Sequence, residues 1–129
     1  MAESHPFRRA AEAKDLELLR EALAEDVVLH SPILFRGFEG REVVVAVLSH
    51  VVEVFEDFTY VDELAEANRV VLRFRARVGD RELEGIDYLE LGADGRVAEL
   101  TVFVRPYSAL TAFNERMKER LAAAPPAAE

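Results

Sequence analysis

Residues 69–91 read RVVLRFRARVGDRELEGIDYLEL. Val70, Leu72, Phe74, Ala76 and Val78 alternate there with Arg69, Arg73, Arg75 and Arg77. A period of two puts apolar groups on one face of a strand and guanidiniums on the other. Gly79-Asp80 supplies a tight turn, and a second strand follows in which Leu83, Asp87, Leu89 and Leu91 share a face. Ala93-Asp94-Gly95 turns the chain again into a strand from Val97 to Val104. Three neighbouring strands joined by short turns make an antiparallel meander.

Working upstream, Phe58 to Ala65 alternates as another strand. From Arg41 the period lengthens: Val43, Val44, Val47, Leu48, Val51 and Phe55 recur at helical spacing. Valine favours strands, but the spacing and the entry at Gly40 predict a third helix. Val27-Val28-Leu29 reads as a short strand running into Ser31-Pro32, with Gly37 and Gly40 punctuating the loop behind it. Asp15 opens a second helix with a stripe of Leu16, Leu19, Leu23 and Ala24, and Ser4 is the predicted cap of a first helix carrying Phe7, Ala10 and Ala11. Downstream, Leu110, Phe113, Met117 and Leu121 mark a C-terminal helix over 108–122. Residues 123–129, with Pro125-Pro126, read as a disordered tail behind a single domain over 1–122. Helices first and long strands afterwards is the α+β order. The expected fold is a cone: N-terminal helices packed in the concave face of a curved, mostly antiparallel sheet, plus the C-terminal helix.

Composition bounds the function. The chain has 129 residues, a formal net charge of −9, and no cysteine. Without an excess of Lys and Arg, a nucleic-acid backbone is a poor partner. Without thiols there is no disulfide, thiolate catalysis or Cys-based metal site. His5, His30 and His50 are scattered with no ligand spacing, so no metal and no cofactor are expected. No apolar run approaches the ~18 residues of a membrane span, and the N-terminus lacks the apolar middle of a signal peptide. A soluble, cytoplasmic protein without membrane partners is the expectation.

Asp87 carries most of the functional reading. Period two places this carboxylate among leucines, where desolvation favours its neutral form. His30 and Ser31 sit at a strand end facing the same region; alternation lets one of them face a pocket squarely, and the kink before Pro32 can upset that parity. Around these candidates the sheet and helices are expected to contribute Phe7, Leu23, Leu48, Val70, Leu72, Phe74, Leu100, Val102 and Val104 to a pocket for a small apolar molecule. The arginine row reads as a solvated outer face paired with acids such as Glu82, Glu84 and Glu90. Tyr88, Thr101, Phe103 and Arg105 also lie on that outer face, which reads as a protein interface and predicts a homodimer.

The order of two helices, Asp26-Val-Val-Leu-His-Ser-Pro32, Gly40-Arg-Glu42, Gly85-Ile-Asp87 and Asp94-Gly-Arg-Val97 resembles the nuclear transport factor 2-like superfamily over roughly residues 5–107. That group holds ketosteroid isomerases, SnoaL-like polyketide cyclases and limonene epoxide hydrolases, and its members commonly dimerise through the outer sheet face. The resemblance implies fold more firmly than activity. Ketosteroid isomerases use a carboxylate base together with a Tyr and a neutral Asp that hold the enolate oxygen. By this resemblance the acid falls on Asp87, the base on Ser31 and the Tyr on or near Phe7, so one role of three is kept. The epoxide hydrolases need two carboxylates and an Arg, whereas strand parity turns Arg73, Arg75 and Arg77 away from the pocket. The cyclases use an Asp as acid/base in an apolar pocket, and that requirement is met. The implied function is cyclase- or isomerase-type proton transfer on an apolar, carbonyl-containing ligand with Asp87 as acid/base. The alternatives are a non-catalytic ligand-binding or dimerisation module with a degenerate site and, more weakly, protein binding through the sheet face.

Overall fold

A computed structural model describes residues 4–123. Along the chain run α1 (Pro6–Ala13), α2 (Leu16–Ala22), β1 (Leu23–His30), β2 (Phe38–Glu39), α3 (Arg41–Val54), β3 (Glu56–Glu66), β4 (Arg69–Val78), β5 (Arg81–Leu91), β6 (Val97–Arg105) and α4 (Tyr107–Ala123). The strands form one sheet in the order β2-β1-β6-β5-β4-β3. Neighbours are antiparallel except β1 and β6, which run parallel with Leu29 opposite Leu100. Register shifts between β3 and β4 at Glu56/Thr59 and Tyr60/Asp62 interrupt the ladder, and such bulges bend a strand. The result is the expected α+β architecture, a curved sheet with helices at both ends of the chain.

The meander follows the period-two reading closely. Val70, Leu89 and Leu100 lie side by side on the inner face, as do Leu72, Asp87 and Val102, and Phe74, Gly85 and Val104. Gly85 is needed here for space: a Cβ on it would lie 2.4 Å from Phe74 Cζ and 2.3 Å from the Phe103 carbonyl oxygen. On the outer face Glu84 accepts from Arg73 at 2.7 Å and from Arg105 at 2.6 Å. Arg69 reaches Glu90 at 3.5 Å and donates to the Tyr88 hydroxyl at 2.7 Å. Arg77 pairs with Asp57 on β3, at 2.9 Å from Nε, rather than with Glu82.

The helical segments need corrections. The cap of α1 is His5, not Ser4: its Nδ1 accepts from the Phe7 N–H at 3.0 Å. Pro6 occupies the first helical position, which puts the cap on the residue immediately before it. The Nε2 of the same ring lies 2.8 Å from the Gly95 carbonyl oxygen in the β5–β6 turn, so it is the nitrogen that carries the proton. Leu23 and Ala24 do not belong to α2. Leu23 is already extended and pairs with Val97, so the predicted short strand at Val27–Leu29 is the end of an eight-residue one. Leu16 is 38% exposed and lies off the buried stripe. In α3, Val43 is 48% exposed whereas Val45, skipped by the predicted stripe, is buried. This helix packs on more than one side, and its apolar surface is wider than a single row. The predicted tail lies outside the described residues except for Ala123, which closes α4.

Candidate active site

A cavity of about 480 Å3 lies between the concave face of the sheet and helices α1, α3 and α4. Phe55 and Phe58 stack with centroids 5.9 Å apart, and Phe55 stacks on Phe113 of α4 at 4.9 Å. These rings, with Phe7, Phe38, Phe74 and the aliphatic side chains of α3, give an almost wholly apolar wall.

Tyr60 and Asp87 form a titratable pair in this wall, which Lys14 and Lys118 also line. Asp87 is 7% exposed, flanked along β5 by Gly85 and Leu89 and across the ladder by Leu72 and Val102. No cation pairs with it among the described residues. Its Oδ2 accepts from the Tyr60 hydroxyl at 2.6 Å. Burial pushes the Asp87 carboxyl up to about 7, against the smaller lowering effect of the Tyr60 hydrogen bond. Burial, and then the neighbouring Asp87 charge, hold the Tyr60 phenol well above its ordinary value, so it stays a donor. Phe74 supports this pair: its ring meets Tyr60 edge-on at 6.3 Å and lies over the space left open by Gly85. On its outer side the Tyr60 ring carries the Arg8 guanidinium 5.7 Å from its centroid, and Arg8 is itself tied to Glu63 at 2.8 Å.

Of the residues expected at the pocket, the structure brings Phe7, Ser31, Leu48, Phe74, Asp87, Leu100 and Val102 onto the cavity wall. Leu23, Val70, Leu72 and Val104 are not on it. Leu23, Val70 and Leu72 are buried in the core, and Val104 is half-buried towards the end of β6. His30 faces away and its Nε2 lies 3.1 Å from Glu99 on the neighbouring β6. Ser31 faces the cavity, but its hydroxyl accepts from the backbone N–H groups of Ile33 and Leu34 at 3.3 and 3.1 Å, shaping the turn after β1. Such hydroxyl-to-backbone bonds stabilise a turn. Among the described residues no group of three or more His, Cys, Asp or Glu is arranged to hold a metal ion, and no helix is long and apolar enough to cross a membrane.

Sequence reading missed Tyr60, Phe55, Phe58 and Phe113. Phe58 and Tyr60 share a strand parity, and that was the available signal for a second inward polar group. The partner of Tyr60 was not legible, because β3 and β5 are separated by β4, roughly 10 Å apart.

A family model described as the SnoaL-like domain matches residues 6–100. Among curated proteins nothing matches. Solved structures similar to the chain include a steroid delta-isomerase from Pseudomonas aeruginosa, 40% identical with a TM-score of 0.87 and covering 94% of each chain. Another is an uncharacterised protein with a cystatin-like fold from Silicibacter pomeroyi, 30% identical with a TM-score of 0.88 over 92% of this chain and 84% of that one. A de novo designed protein with a curved β-sheet, 16% identical with a TM-score of 0.69 over 92% of this chain and 99% of that one, is similar in fold alone. The fold is that of the nuclear transport factor 2-like superfamily.

Proposed function

The chain belongs to the SnoaL-like domain family, and from that membership we propose that it binds an apolar, carbonyl-containing small molecule and moves a proton on it with Asp87. The observation that carries the reading is the Tyr60–Asp87 hydrogen bond within an apolar cavity. The 480 Å3 cavity falls within the about 300–1,000 Å3 of small-molecule sites. The 40% identical steroid delta-isomerase is a further support for isomerase-type chemistry.

With its carboxyl near 7, Asp87 is a stronger base than an ordinary carboxylate and is present in both forms at neutral pH. The ionised form takes a proton from the carbon beside the carbonyl; the electron pair of the broken C–H bond forms a carbon–carbon double bond, and the carbonyl π pair moves onto the oxygen. Asp87 then gives that proton to the oxygen or to another carbon, leaving an enol or an isomerised ketone and restoring the carboxylate. Tyr60 donates to Oδ2 in either form and keeps the acid in one orientation.

Hydrogen exchange at the carbons beside the β-tetralone carbonyl, followed by proton NMR in deuterium oxide, tests this. The wild type should accelerate exchange over buffer, with activity rising as pH increases through about 7. Asp87→Asn should lose about 100-fold or more of that acceleration, and Tyr60→Phe a smaller part. A second reading, ligand binding without chemistry, is favoured by the engagement of the Ser31 hydroxyl with its own turn and by Asp87 being the one carboxylate on the wall among the described residues. Binding of β-tetralone without faster exchange would establish that reading and overturn the first. We also propose that the outer face, where Phe103 is 56% exposed beside Ile86, pairs with a second copy of the chain.

A further inference from the structure

The chain contains two lysines, Lys14 and Lys118, against fourteen arginines. Both lysines line the cavity. Nine of the arginines lie within 4 Å of a carboxylate, whereas neither lysine does among the described residues. Lys14 and Lys118 are exposed, as are Leu34 and Leu121 on the same wall, and Asp87 is buried. The exposed members of a cavity wall mark its opening, so cations and apolar groups share the mouth and the Tyr60–Asp87 pair lies deeper.

Local acids do not neutralise these ammonium groups. Asp15, next to Lys14, is engaged as the α2 cap and accepts from the Glu17 and Leu18 N–H groups. Glu115, one turn before Lys118, lies beyond ion-pair distance of it. Lys14 is also fixed in place: it closes α1 in a left-handed conformation, φ 54°, with its N–H directed to the Ala10 and Ala11 carbonyls. In a protein with nine more acids than bases, a mouth whose charged groups are both cations is an unusual distribution. A flexible lysine is suited to a terminal anionic group whose position varies, whereas nine of the fourteen arginines engage carboxylates of the protein.

We propose that the cavity selects an amphiphile: an apolar body with its carbonyl end at Tyr60 and Asp87 and an anionic end, such as a carboxylate or sulfonate, held at the mouth by Lys14 and Lys118. This rests on the assignment of the cavity as the ligand site and adds the charge of the ligand to it.

Two fluorescent probes with one apolar body provide the test: anilinonaphthalene sulfonate and the uncharged phenylnaphthylamine. The wild type should bind the sulfonate more tightly, and phenylnaphthylamine should displace it, placing both in one cavity. The Lys14→Gln, Lys118→Gln double variant should lose about three- to tenfold in sulfonate affinity and leave the neutral probe unchanged. Added salt should reproduce part of that loss in the wild type. A charge-matched control, Arg9→Gln with Arg81→Gln, should change neither probe, and circular dichroism checks that each variant folds. Equal effects on both probes, no effect of the lysine pair, or failure of displacement would overturn the proposal. The β-tetralone exchange assay reads the chemistry separately: sulfonate preference without exchange would remove the proton transfer and keep the anionic mouth, and exchange without the preference would do the reverse.

Discussion

Glu84 and Asp87 lie on the same strand, β5, and carry the same functional group on opposite faces of the sheet. Glu84 points outward between Arg73 and Arg105, whose hydrogen bonds hold its carboxyl below the usual range. Asp87 points inward, has no cation beside it among the described residues, and burial pushes it up to about 7. The difference teaches that the face of the pleat decides what a carboxylate does in this protein. Outside, it is an ionised partner in a network with two arginines. Inside, it is a group poised between two charge states.

The largest effect that can break this comparison is on stability against pH. The ordinary value for Asp87 is 3.8, and the folded value is about 7. Folding therefore retains a proton that the unfolded chain gives up in between. The stability this contributes is fully present below about 3.8 and is lost as pH rises through about 7. Asp87→Asn has no such loss. Urea titrations at pH 4 and pH 8 should show the variant gaining about 3–4 kcal/mol relative to the wild type over that interval. A constant difference would show that Asp87 titrates as an ordinary surface acid, like those outside.

Gly85→Ala comes next, because it attacks the inner face without touching a charge. The added methyl has to displace the Phe74 ring and the strand bearing Phe103. A cost of about 1–3 kcal/mol in urea unfolding is expected, together with weaker β-tetralone binding as Phe74 and Tyr60 move. Full retention of both would mean that the inner face yields as readily as the outer one. The smallest effect on folding belongs to Phe103→Glu on the outer face. The stability of the protomer should change by no more than about 0.5 kcal/mol, while sedimentation velocity should show any dimer of the wild type falling to monomer. A wild type that already sediments as a monomer would sink the proposed pairing.

Legibility from sequence followed the same division between faces. Residues 69–105 were read almost correctly because long strands with one buried face repeat the period-two signal many times, and each side chain confirms the parity of its neighbours. The α2–β1 junction was misread because Leu23 satisfies both patterns: it continues the helical stripe and also begins a strand whose partner, Val97, is remote in sequence. Asp87 was legible because a carboxylate in a leucine row is an anomaly of the pattern itself. Tyr60 was not, because its hydrogen bond reaches across β4, and the register shifts on either side of it in β3 are not encoded in any local period. Four of the expected pocket residues lie away from the cavity for a related reason. Parity assigns a side chain to the inner face, but the helices decide which part of that face remains uncovered.

The cap of α1 joins parts of the chain that are remote in sequence. The acceptor that fixes the His5 ring is the Gly95 carbonyl, 90 residues later in the chain. Leu23 likewise waits for Val97 and Leu29 for Leu100. The β4–β5 hairpin, by contrast, has all its partners within about twenty residues. Loop closure over the longer separations carries the greater entropic cost. The helices at the start of the chain are thus tied to its last hairpin, and the wall of the cavity joins segments far apart in sequence.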